Sequence, residues 1–276
     1  MIRLVATDLD GTIISGGNRC DGSVAEAVRK LHNAGILFAL CTGRPVSSMR
    51  HMLAGWGLED LTDYIVGSNG GEVLETKSGR METMKALDTE TVRDIIDLYE
   101  PLGLIPALYE GRILYVQRQT EDTLRVADRV DVEHRTGEIR KLLKTPQVKY
   151  MMILDPALME TAERFAAEHP DPRYIAFKTA PDLLEMTEAG LDKGTGLFWV
   201  MKENGIRPEE VIVFGDNSND IPMFRCAEFS VCMKNGSSDA LEAAVYHAPS
   251  VEENGFADWL DGHLQGNMIK REESGK

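Results

Sequence analysis

Asp8 and Asp10 stand two residues apart where an apolar run, residues 2–6, gives way to Gly11-Thr12. With the two-residue alternation of an extended chain both carboxylates can project the same way and converge on one point. Gly11 permits the tight backbone that must follow. Burying an unpaired charge is costly, so a strand entering a core has no structural use for two acids at its end. Convergent carboxylates are the chemistry of a divalent cation. Asp-x-Asp-Gly is also turn chemistry, because Asp side chains hydrogen-bond their own backbone. What favours the first reading is that three further polar clusters also occupy the ends or beginnings of apolar elements.

Residues 35–40 form a second apolar run that meets Cys41-Thr42-Gly43-Arg44-Pro45. Pro45 suits the first turn of a helix, and Val46, Met49, Met52 and Leu53 continue at helical spacing. The free N–H groups of such a helix start, with the Thr42 hydroxyl beside them, suit a phosphate; Thr42 is equally suited to be a plain cap. Asp192-Lys193-Gly194 precedes an amphipathic stretch through Val200 and Met201. It is not a P-loop, since the lysine comes before the glycine, and a solvated surface lysine is the alternative. The last cluster, Gly215-Asp216-Asn217-Ser218-Asn219-Asp220, follows the apolar residues 211–214 and supplies hard oxygen ligands of the kind Mg²⁺ prefers.

Taken in order, the four clusters resemble the motifs of the haloacid dehalogenase superfamily of aspartate-nucleophile phosphatases. Thr42-Gly43-Arg44, Ser68-Asn69-Gly70, Asp192-Lys193-Gly194 and Asn219-Asp220-Ile221-Pro222-Met223 resemble its Cof-type branch. The resemblance implies Asp8 as nucleophile, Asp10 as general acid and base, Thr42 and the N–H of Gly43 on the phosphoryl oxygens, and Lys193 as charge neutraliser. It places Mg²⁺ on the carboxylates of Asp8 and Asp216 and the carbonyl of Asp10, with Asn219 and Asp220 bound directly or through water. Arg44 and Asn69 would border the substrate. The implied activity is hydrolysis of small phosphate monoesters, such as sugar phosphates, through an aspartyl-phosphate. A phosphomutase uses the same nucleophile and acid, and a regulator that binds phosphometabolites without turnover would keep the same phosphate site; both stay open at this point.

The elements that must position these residues can be read from periodicity. A strand at residues 2–7, a helix at 23–34, a strand ending near Cys41, a helix at 45–53 and a strand at 64–66 alternate, which argues for a parallel sheet covered on both faces. Ligands of doubly wound sheets bind beyond the carboxyl ends of the strands, where the strand order reverses. After Gly71 the texture changes: a hairpin at 72–84, a helix at 91–99, strands at 106–109, 112–116 and 148–154 and a helix at 157–168 imply an antiparallel or mixed sheet. From Lys193 the earlier alternation resumes. The expected fold is α/β, a doubly wound parallel-sheet core from residues 1–82 and 186–276 with an inserted α/β cap at 83–185, which the resemblance has closing over the motifs.

The 276 residues, 43% of them hydrophobic, can bury one large or two modest cores, and a formal charge of −15 with no Lys/Arg-rich run disfavours nucleic acid and anionic membrane surfaces. A small phosphorylated metabolite is the partner that fits, and oligomeric state is left open. The four cysteines form no Cys-x-x-Cys pair and the six histidines show no zinc spacing. No leader-like segment opens the chain, and the longest apolar stretch, 34–41, is too short to span a bilayer, so a cytoplasmic protein is expected. The polar tail at 265–276 is expected to fray.

Overall fold

The computed structural model describes residues 1–16, 18–129, 132–265 and 268–269; most of the tail expected to fray thus lies outside the described residues. The chain forms two compact units, Met1–Met84 with Asp192–Lys276, and Lys85–Leu191.

In the first unit the central strand Leu4–Thr7 is buried along its whole length and pairs in parallel on both sides, Leu4 opposite Val211 of Val211–Gly215 and opposite Leu37 of Leu37–Cys41. Tyr64–Gly67 continues the parallel order on one side, and Phe229–Met233 and Tyr246–Ala248 on the other. The hairpin Glu72–Glu75 and Met81–Thr83 then adds two antiparallel strands at the edge. Strands covered on both faces need apolar residues at every position, which is why they read as continuous runs rather than alternating ones. Val5 faces a core filled by Val24, Val28 and Leu31 of the helix Gly22–Asn33, whereas Leu4 and Ala6 face Leu197, Val200 and Met201 of the helix Lys193–Glu203. Helices on both faces make the sheet doubly wound. The second helix runs Val46–Trp56, with Pro45 as its cap rather than inside its first turn, and it stops at Gly57, whose φ of +68° ends the helix.

The second unit is a six-stranded mixed sheet ordered Glu133–Thr136, Ile113–Val116, Ile105–Glu110, Tyr150–Ile153, Leu183–Glu188, Tyr174–Ala180. Its neighbours are antiparallel except the first two strands, which run parallel. Helices Thr89–Tyr99 and Met159–Glu168 pack on one face and Glu121–Arg129 on the other. The boundary expected at 185 falls inside the strand Leu183–Glu188; its side chains fill both cores of this unit, so the chain leaves only after Leu191. The helix Glu121–Arg129 and the hairpin ending at Glu188 were not anticipated. Only Thr123, Val126 and Ala127 of that helix are buried, too few for a legible apolar stripe. Among the described residues, no helix is long and apolar enough to cross a membrane.

Candidate active site

Asp8 follows the central strand directly and extends its ladder, its N–H donating to Phe214 O at 2.9 Å. The chain then turns at Gly11, with φ +87°; a Cβ there would lie 2.3 Å from Asp216 Oδ2, so the position needs glycine for both conformation and room. Asp216 sits just beyond the neighbouring strand, and Thr12 Oγ1 donates to its Oδ1 at 3.2 Å. Gly215 is tight for a separate reason: a Cβ would stand 2.5 Å from that of Asp220.

Asp220 is wholly buried, and its carboxylate ties the loop together. Oδ2 accepts from the N–H groups of Asp216 and Asn217, each at 2.9 Å, while Oδ1 accepts from Lys193 Nζ at 2.6 Å. Lys193 Nζ also donates to Asp8 Oδ1 at 2.6 Å and is itself 1% exposed. It opens the helix Lys193–Glu203, capped by Asp192, whose Oδ1 accepts from Thr195 N at 2.8 Å. A cation in a first turn opposes the helix dipole. The two carboxylates offset that local cost, which explains a lysine where helix chemistry alone would choose an acid.

Among the described residues, Asp8, Asp216 and Asp220 place carboxylate oxygens within 4.8 Å of one another. Three carboxylates against the single ammonium of Lys193 leave two uncompensated negative charges in a buried site. Burial pushes the Asp8 carboxyl well above its usual range; the Lys193 charge opposes this, and Asp220 and Asp216 reinforce it. Asp216 rises from an ordinary 3.8 to about 6, chiefly by burial and then by the charge of Asp220. Desolvation works against the charged form of Lys193, but Asp220 and Asp8 outweigh it and hold the proton on the amine. Hard oxygen donors with a deficit of two positive charges are suited to one divalent cation.

Thr42 is fully buried at the end of Leu37–Cys41, its N–H donating to Val66 O at 2.8 Å and its hydroxyl accepting from Arg44 N at 3.1 Å. A Cβ on Gly43 would press on Asn69 Oδ1 at 3.2 Å. Asn69 holds a left-handed conformation, φ 54°, and accepts from Asn219 Nδ2 at 3.4 Å, so these two amides join their loops to each other. The Asp10 carboxylate is outside the acidic group and is held by Arg44.

Sequence reasoning passed over two contributors. Asn235 donates from Nδ2 to Gly11 O at 2.8 Å and accepts from Val251 N at 2.9 Å, fastening the Asp8 loop to the segment at Val251. Asn18 holds Arg44. Each lies in an Asn/Gly-rich turn, where an amide looks like turn chemistry. The one available signal was the place of Asn235 just past another buried strand, Phe229–Met233.

A family model for haloacid dehalogenase-like hydrolases matches residues 5–260. The phosphoglycolate phosphatase of Methanospirillum hungatei is 28% identical over 262 residues, covering 94% of this chain and 95% of its own. A 5-amino-6-(5-phospho-D-ribitylamino)uracil phosphatase of Bacillus subtilis is 27% identical over 268 residues, covering 93% and 96%. In fold, the chain is similar to a haloacid dehalogenase-like hydrolase from Bacteroides thetaiotaomicron, with a TM-score of 0.86 at 22% identity over 95% of this chain and 99% of that one. With its motifs arrayed at the carboxyl ends of a doubly wound sheet and the match running through nearly its whole length, this chain belongs to the haloacid dehalogenase-like hydrolases, as a phosphatase among them.

Proposed function

We propose that this chain is a Mg²⁺-dependent phosphatase acting on small phosphate monoesters, sugar phosphates and metabolites of similar size, through an aspartyl-phosphate on Asp8. The observation that carries this is the sharing of Lys193 Nζ between Asp8 and Asp220, 2.6 Å from each, inside a group of three carboxylates. A phosphate dianion repels an anionic nucleophile, so the site must bring positive charge to the phosphoryl group first. Mg²⁺, held by Asp8 and Asp216, would supply most of that charge. Asp220 already serves Lys193 and two backbone N–H groups, so its part is to orient the amine and the loop.

Asp8 would attack phosphorus, forming one O–P bond as the bond to the leaving alcohol breaks, and Asp10 would give that alcohol its proton. In the second half Asp10 takes a proton from water, the water oxygen bonds to phosphorus, and Asp8 is released with inorganic phosphate. Thr42 and the N–H of Gly43 would hold the transferring oxygens. The test is turnover of an aryl phosphate with Mg²⁺: activity should vanish on chelation and return with the metal, and Asp216→Ala should raise the Mg²⁺ requirement or end turnover. Full activity in excess chelator would contradict the reading.

A second expectation concerns pH. Because the folded-state values of Asp8 and Asp216 lie above their unfolded ones, the native metal-free protein binds the extra protons. The Asp216 share of its stability therefore falls as pH rises from about 4 through 6, and Asp8, raised in the same direction, adds to the fall. Mg²⁺ competes with those protons. Its stabilisation in a thermal melt should be large at pH 7.5 and shrink markedly by pH 5, whereas an equal shift at both values would count against these carboxylates as ligands.

A further inference from the structure

The proposed chemistry needs Asp10 beside the leaving oxygen, yet its carboxylate is engaged elsewhere. Arg44 Nε donates to Asp10 Oδ2 at 2.9 Å and Nη2 donates to Oδ1, a two-pronged pairing. Nη2 also donates to Asn18 Oδ1 at 2.8 Å, and Asn18 is fixed in turn by Trp56, whose Nε1 donates to its carbonyl at 3.0 Å. Among the described residues Nη1 meets only Met52 Sδ, a weak acceptor.

The two partners differ in freedom. Arg44 has a side chain 17% exposed and is gripped on several sides, whereas that of Asp10 is 56% exposed. Asp10 is therefore the partner that can turn. When it does, a mostly buried guanidinium loses the one carboxylate that pairs with it among the described residues, and an unpaired buried cation is costly. That cost falls on the step that brings Asp10 into action. It disappears if the substrate itself supplies a planar anion to the same two N–H groups.

The geometry points to Arg44 as a specificity residue that favours monoesters whose leaving alcohol bears a carboxylate close to the ester oxygen, with Asp10 as the placeholder for that carboxylate in the free enzyme. A carboxylate suits better than a second phosphate because it reproduces the planar, bidentate partner it displaces. The inference rests on the phosphatase reading above.

The experiment compares 2-phosphoglycolate with 2-hydroxyethyl phosphate, which differ in whether the leaving alcohol carries a carboxylate or a hydroxymethyl group. The wild type should favour phosphoglycolate by at least about tenfold in kcat/KM, the scale of a charge-assisted hydrogen bond, with part of the gain in kcat because the carboxylate frees Asp10. Arg44→Met should bring the ratio close to one. Asn18→Ala, which keeps the guanidinium but loosens it, should reduce the preference without erasing it, and serves if Arg44→Met does not fold. Equal efficiencies in the wild type, or a preference unchanged in Arg44→Met or Asn18→Ala, would overturn the inference while leaving the phosphatase reading intact provided an aryl phosphate is still hydrolysed. Failure to hydrolyse any of the three esters brings down both.

Discussion

Lys193→Met should end turnover and destabilise the native state by about 3–5 kcal/mol, the effect of removing one partner from a buried ion pair. Asp8 and Asp220 would be left facing each other in a buried site with no cation between them, since Lys193 Nζ is 2.6 Å from an oxygen of each. Denaturant unfolding of the metal-free protein at pH 7.5 measures the loss, which should shrink on acidification as Asp8 and Asp216 take up protons at their raised values. Adding Asp220→Asn to Lys193→Met should recover part of the stability and none of the turnover, because it restores charge balance without restoring a cation at the nucleophile. An unchanged unfolding midpoint in the single variant would show that the lysine does not neutralise this cluster.

Asp8→Asn separates chemistry from folding in the opposite direction. Turnover should fall at least about a thousandfold, about 4 kcal/mol of barrier, because an amide is a poor nucleophile. Stability of the metal-free protein should be kept or should rise, since the uncompensated negative charge drops from two to one while Lys193 keeps Asp220. Initial rates on an aryl phosphate and a thermal melt of the same preparation read both. Residual turnover above roughly a thousandth of wild type would remove Asp8 from the nucleophile's role.

The parts of the fold legible in the sequence are those with a strong local signal. The apolar runs ending at Asp8, Cys41 and Gly215 read as buried strands because both faces of each are covered, and the stripe Val24, Ala27, Val28, Leu31 marked the first helix. In the second unit the signal weakens. Tyr174–Ala180 is an edge strand with mixed exposure, and Glu121–Arg129 contacts the core through three modest side chains, so neither has a clear period.

At the candidate site the sequence by itself determined residue types and their places at element ends, because turn chemistry, capping and strand periodicity depend on near neighbours. It supplied the carboxylates, the hydroxyl and the lysine, and through Gly11 the backbone freedom to set them. Tertiary structure decided which of them touch. Asp8 and Lys193 are 185 residues apart and meet only because the central strand pairs with Val211–Gly215 on one side and Leu37–Cys41 on the other. The same packing turned Asp220 to Lys193 and the backbone, and left Asp10 with Arg44 instead of among the other acids. These choices hang on charge balance in a buried space, where a carboxylate takes whichever donors the surrounding elements bring within reach, and that is a property of the assembled sheet rather than of any one segment.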